Sequence, residues 1–136
     1  MMPAVPRFLL SLGCLGALGA CQWPHAAPEP ASALAFSVEQ DYEGAYRRVL
    51  ENARRCWPAN SQAGQGDIDG TLDNAARHGR VALAFRSRDR VDTRLEVELQ
   101  AVDRTRTDVR IASAADVTRP ASTIHGWLEG TSLDCP

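Results

Sequence analysis

Leu95-Glu96-Val97-Glu98-Leu99 sets an apolar side chain at every second position with a carboxylate between. A period of two marks a strand with one dry and one wet face, whereas a helix needs apolar residues three and four apart. The same alternation recurs on both sides. Ile68, Gly70 and Leu72 form one row, Val81, Leu83 and Phe85 a second, and Thr107, Val109 and Ile111 follow the quoted one. The intervening segments Asn74–Gly79, Ser87–Asp92 and Val102–Arg106 are short enough for hairpins. The four strands are expected to form an antiparallel meander with one solvated face. Symmetric closure sets Asp73 across from Arg80 and Glu98 across from Arg110, and such opposed charges favour this register over a slipped one.

Helical spacing flanks the meander. Tyr42, Ala45, Tyr46, Val49, Leu50, Ala53 and Trp57 share one face of a helix. Ser37-Val38-Glu39-Gln40 has the spacing of a capping box, so this helix is expected to begin between Ser37 and Asp41, and Pro58 to end it. Its opposite face carries Arg47, Arg48, Glu51, Arg54 and Arg55, with Glu43–Arg47 and Glu51–Arg55 spaced i,i+4. That face reads as solvated in preference to an anion-binding stripe. After the strands, Thr118-Arg119-Pro120 reads as a second helix start, Ile124, Trp127 and Leu128 as its apolar stripe, and Gly130 as its C-cap. The expected fold is α+β: helix, four-stranded antiparallel meander, helix, with both helices on one face of the sheet.

Upstream, Met1 to Arg7 holds one cation, and Phe8 to Ala20 is an apolar run ending in Leu18-Gly19-Ala20-Cys21. Charged start, apolar stretch and small residues before a cut are the order of a secretory signal peptide. The Leu-x-x-Cys ending resembles a bacterial lipobox. The resemblance implies cleavage before Cys21, a diacylglyceryl thioether on its sulfur and acylation of the new amino group, which together anchor stably where one chain would not. An ordinary signal peptide is a weaker reading. So is a spanning helix, because the run is shorter than the ~20 residues that cross a bilayer. Gln22, rather than Asp, follows the lipidated cysteine, and by resemblance to the sorting rule of Gram-negative lipoproteins this favours the outer membrane. Gln22 to about Ala35, with Pro24, Pro28 and Pro30, reads as an extended tether. The expected organisation is a signal peptide over 1–20, lipidated cysteine and tether over 21–36, and one periplasmic domain over 37–136.

Cys14 would leave with the signal peptide and Cys21 would carry the lipid, leaving Cys56 and Cys135. An even pair in an oxidising compartment reads as a disulfide. Cys56 ends the first helix, and Cys135 follows a second helix on the same sheet face, so the tail is long enough to close the bridge. A zinc site from these cysteines and a histidine is disfavoured, because no Cys-x2-Cys spacing supports it. Cleavage of the 136-residue chain after Ala20 leaves 116 residues, with 14 arginines, no lysine and 17 acidic residues. No basic block appears, so nucleic acid is not an expected partner.

Local motifs of catalysis are missing from the sequence. His25, His78 and His125 share no metal-ligand spacing, and Ser61, Ser113 and Ser122 stand outside any Gly-x-Ser-x-Gly elbow. Asp67, Asp69 and Asp73 alternate with strand residues and lack the glycine and glutamate of a calcium loop, so they read as the wet face. Gly64-Gln65-Gly66 is a lone Gly-x-Gly without a phosphate-binding context. No catalytic residue, metal ligand or cofactor is assigned.

Tyr42-x3-Tyr46-Arg47 leading to Cys56, then Ile68-Asp69-Gly70, Thr107-x-Val109-x-Ile111, and Trp127-x2-Gly130 before Cys135 form one pattern over Asp41 to Cys135. In this the mature chain resembles a small family of proteobacterial outer-membrane lipoproteins, which lends no catalytic residues. At the level of fold it is also similar to accessory lipoproteins of outer-membrane assembly machines. The expected function is a non-enzymatic binding or scaffold module held at the membrane through Cys21. An envelope protein would be met at the charged sheet face or an exposed edge strand. The alternatives are a lipid or apolar ligand held among Tyr42, Tyr46, Phe85 and Trp127, and an envelope enzyme using His78 or His125 beside a carboxylate.

Overall fold

Residues 32–57, 60–61 and 64–135 are described by a computed structural model. The signal run, Cys21, Gln22, His25, Pro58 and the tether as far as residue 31 lie outside the described residues. Element order is β1 (Ser32–Val38), α1 (Tyr42–Cys56), β2 (Asn60–Ser61), β3 (Gly64–Asp73), β4 (His78–Ser87), β5 (Arg90–Ala101), β6 (Thr107–Ser113) and α2 (Thr118–Glu129). The class is α+β, as expected. Five long strands and the two-residue β2 form one antiparallel sheet in the order β1-β6-β5-β4-β3-β2.

The meander stands as β3 to β6, but the count of four strands is corrected. Ser32–Val38 adds an edge strand by pairing with β6 from Ser32↔Ser113 to Val38↔Thr107. The folded unit thus begins inside the stretch assigned to the tether, five residues ahead of Ser37. Leu34, Phe36 and Val38 continue the dry face, and Phe36 and Val38 pack on the core. This pairing overrides the capping box. Ser37 lies in β1 and its hydroxyl donates to Asp108 Oδ1. The N-cap of α1 is instead Asp41, whose carboxylate accepts from the Gly44 N–H at 2.8 Å.

Register follows the hairpin turns. Glu98 stands across from Arg110 as expected, and the two form an ion pair at 3.2 Å. Asp73 does not meet Arg80: a four-residue turn closes β3 to β4, so Asp73 pairs with His78 and Arg80 with Thr71. Asp73 instead holds the turn, accepting from the Ala76 N–H. Arg77 closes that turn with φ 52, in left-handed backbone that few residues other than glycine adopt. Its side chain lies over the Tyr42 ring and donates to the Asp103 carbonyl.

Both helices cover the dry face. Val49, Val81, Val97, Leu99, Val109, Ile111, Ile124 and Trp127 are completely buried between the layers. Tyr46 sets the distance of α1 from the sheet. A Cβ added to Gly79 would lie 3.0 Å from its ring, and one added to Gly70 would lie 2.7 Å from its hydroxyl oxygen. Only glycine leaves room at these two positions for the ring to lie on the sheet. Buried Thr107 satisfies its hydroxyl by donating to the Gln40 carbonyl at 2.7 Å. The second helix ends as its sequence indicates, at Gly130 with φ 71.

Candidate binding face

The outer face of the sheet carries the charged halves of the alternating strands. Arg80 stands at its centre, bonded to Glu96 on β5 and 3.7 Å from Asp69 on β3. The Glu96 hydrogen bond, more than the field of the surrounding carboxylates, holds the Arg80 guanidinium above its ordinary pKa. Arg86 pairs with Asp67 at 3.3 Å. Asp67, Asp69 and Asp73 thus each serve a separate partner, and among the described residues no group of three metal-ligating side chains converges.

Towards β1 this face becomes concave. Ala35 and Ser37 are small, and the taller side chains of β4, β5 and β6 rise beside them. His78, Glu98, Gln100, Asp108 and Arg110 line a concavity of about 450 Å³ with them. Glu98 is engaged by Arg110 and Asp108 by Ser37, while Gln100 donates to the Ala76 and Arg77 carbonyls. The floor therefore offers both carboxylates and a guanidinium, with imidazole at one end.

The two sheet edges differ. On β3, Asp67, Asp69 and Asp73 place charge along the rim, a device that discourages strand addition. No such charge stands on Ser-Ala-Leu-Ala-Phe-Ser-Val of β1, and Leu34 is 44% exposed there. Among the described residues no strand pairs with the outer edge of β1, and that edge is contiguous with the concavity, because Ala35 and Ser37 belong to both.

The remaining histidine is on the other layer. His125 meets the Phe36 ring edge-on at 4.7 Å and lies 3.3 Å from Glu129 one turn along α2. His78 and His125 are therefore not brought together. Tyr42, Tyr46 and Trp127 are each more than nine-tenths buried and Phe85 is partly covered. Tyr46 fills the space over Gly70 and Gly79, so close packing occupies the interior where an apolar ligand would lie.

Cys56 and Cys135 form the disulfide read from the sequence, with α-carbons 5.2 Å apart. Trp57 and Trp127 lie beside it at 6.2 Å between ring centroids, and the Trp127 indole N–H donates to the Asp134 carbonyl. The expected i,i+4 ion pairs of α1 are not among the contacts of these side chains. Arg55 donates to Asn52 and to the Leu133 carbonyl, and Arg48 to the Leu128 carbonyl at 2.9 Å. Both cations satisfy acceptors at or beyond the C-terminus of α2, where positive charge is favoured. Their sequence spacing pointed to neighbours on α1; the competing acceptors come from a segment about 80 residues away.

No protein-family model matches this chain, and a search of curated proteins finds no match.

Proposed function

We propose that this chain is a lipoprotein of the bacterial outer membrane whose folded unit is a non-enzymatic binding or scaffold module on the periplasmic side. The anchored part of the reading rests on Leu18-Gly19-Ala20-Cys21 with Gln22 after it. The binding part rests on one observation: the uncharged edge of β1, which no strand pairs among the described residues, adjoins a polar concavity on the same strand. An extended segment of an envelope protein adding to β1 gains backbone hydrogen bonds, and its alternate side chains lie over Asp108, Arg110 and Glu98. Two measurements test this. Cells fed radioactive fatty acid label the wild-type protein and not a Cys21→Ala variant; label on the variant removes the anchor. A photo-crosslinking residue at Leu34 yields a defined adduct in intact cells, while one at exposed Val102 does not. Adducts of equal yield from both positions, or none from Leu34, remove the binding edge.

A further inference from the structure

On a chain of net charge −2, the solvent face of α1 runs against the average. Arg47, Arg48, Arg54 and Arg55 are all exposed there, with Glu43 and Glu51 the carboxylates among them. Arg47 and Arg54 have no ion pair or hydrogen bond among the described residues. Arg48 bonds the α2 end, and Arg55 bonds the tail and Asn52, with further N–H groups left to donate. The tail also brings Leu133 to this face. It is 66% exposed, and with Arg48 and Arg55 it borders a concavity of about 480 Å³. Cations around an exposed aliphatic tip match a bilayer interface, where headgroup phosphates lie just outside apolar chains.

The topology turns this face toward the anchored end of the molecule. Ser32 stands beside Ser113, Ser113 beside Leu95, and Leu95 beside Leu83. At the opposite end of the sheet, Tyr42 bonds Asn74 in the β3–β4 turn. One turn later Tyr46 lies on Gly70 and Gly79, so α1 runs back along the strands toward the Ser32 end. Arg54 and Arg55 therefore stand at the end where the chain enters from Cys21.

We propose that the arginine face of α1, with Leu133 beside it, docks the domain on an anionic phospholipid bilayer. Docked there, the domain keeps β1 and the outer sheet face, which lie on the opposite layer, directed away from the lipid. The choice of partner rests on the anchored reading. The test removes the anchor, so the two fail separately.

The full chain carrying Cys21→Ser is mixed with vesicles of phosphatidylcholine alone or of phosphatidylcholine and phosphatidylglycerol in a two-to-one ratio. The signal run, with its amino group and Arg7, is common to every variant and cancels between them. Tighter binding to the anionic vesicles is expected, with the excess falling as salt shortens the Debye length. Arg47→Gln with Arg54→Gln should cut that excess roughly tenfold to thirtyfold, two surface cations being removed. Arg104→Gln with Arg106→Gln, in the β5–β6 turn at the far end, should leave it unchanged, and Leu133→Ser should weaken binding to both vesicles. Equal partition onto the two compositions overturns the proposal. So does an equal loss from both double variants when their thermal melts match the wild type.

Discussion

Gly79 shows how much of this fold hangs on single atoms. The Tyr46 ring occupies the space a methyl group would need, with three ring and Cβ carbons within 3.3 Å of that position. Gly79→Ala therefore pushes the ring and α1 off the sheet. A loss of about 1–3 kcal/mol is expected in denaturant melts, the usual range for overpacking. Asp103 makes a different kind of prediction. Its carboxylate accepts from the Thr105 N–H and hydroxyl and from the Arg106 N–H, which hold its pKa below the ordinary 3.8. A depressed folded value means stability that is present at neutral pH and lost as pH falls through that value. The gap in stability between wild type and Asp103→Ala should thus narrow in acid melts as pH falls below the ordinary carboxylate value of 3.8. A gap that stays constant or widens there would show that the turn does not depend on the ionised carboxylate.

Two segments compete at the element scale for the residues between 37 and 41. The capping box asks Ser37 to start a helix, and the sheet asks it to sit beside Asp108. The sheet wins because Leu34, Phe36 and Val38 gain the dry face together. Asp41→Ala should then cost about 0.5–2 kcal/mol and loosen the amides of the first turn of α1, since it removes the cap. Ser37→Ala should leave those amides as protected as before in hydrogen exchange. The same competition explains what the sequence reveals. In β3 to β6, charges alternate with large aliphatic residues, so every strand of the meander is legible. In β1 the alternate residues are Ala and Ser, which contrast weakly with their neighbours, and Pro-rich sequence precedes them. Its partner β6 is also far along the chain. Without β1 the concavity cannot be foreseen, although the charges that line most of it can. The arginines of α1 were legible as a face; their bonds to the α2 end and the tail were not, because only folding brings those carbonyls near.

At the scale of the whole molecule, a covalent link closes the described residues. Cys56–Cys135 joins the end of α1 to the tail beyond α2 across 79 residues of sequence. Its reduction should lower stability by about 2–5 kcal/mol, the range for small secreted domains, and both tryptophans beside it make fluorescence a direct monitor. Unchanged melts with and without reductant would show that packing alone holds α1 and α2 together. The bridge has a mechanical consequence as well. Tension applied between Ser32 and Cys135 follows the covalent path through β1 and α1 and then crosses the sulfur–sulfur bond. Everything between the two cysteines, including β3 to β6 and α2, lies off that covalent path. Pulled from those two points, the oxidised unit lengthens only by unravelling residues 32–56. The reduced chain would release a further step of about 3.3–3.6 Å for each residue of the opened ring, so the bridge sets how far the folded unit can be stretched.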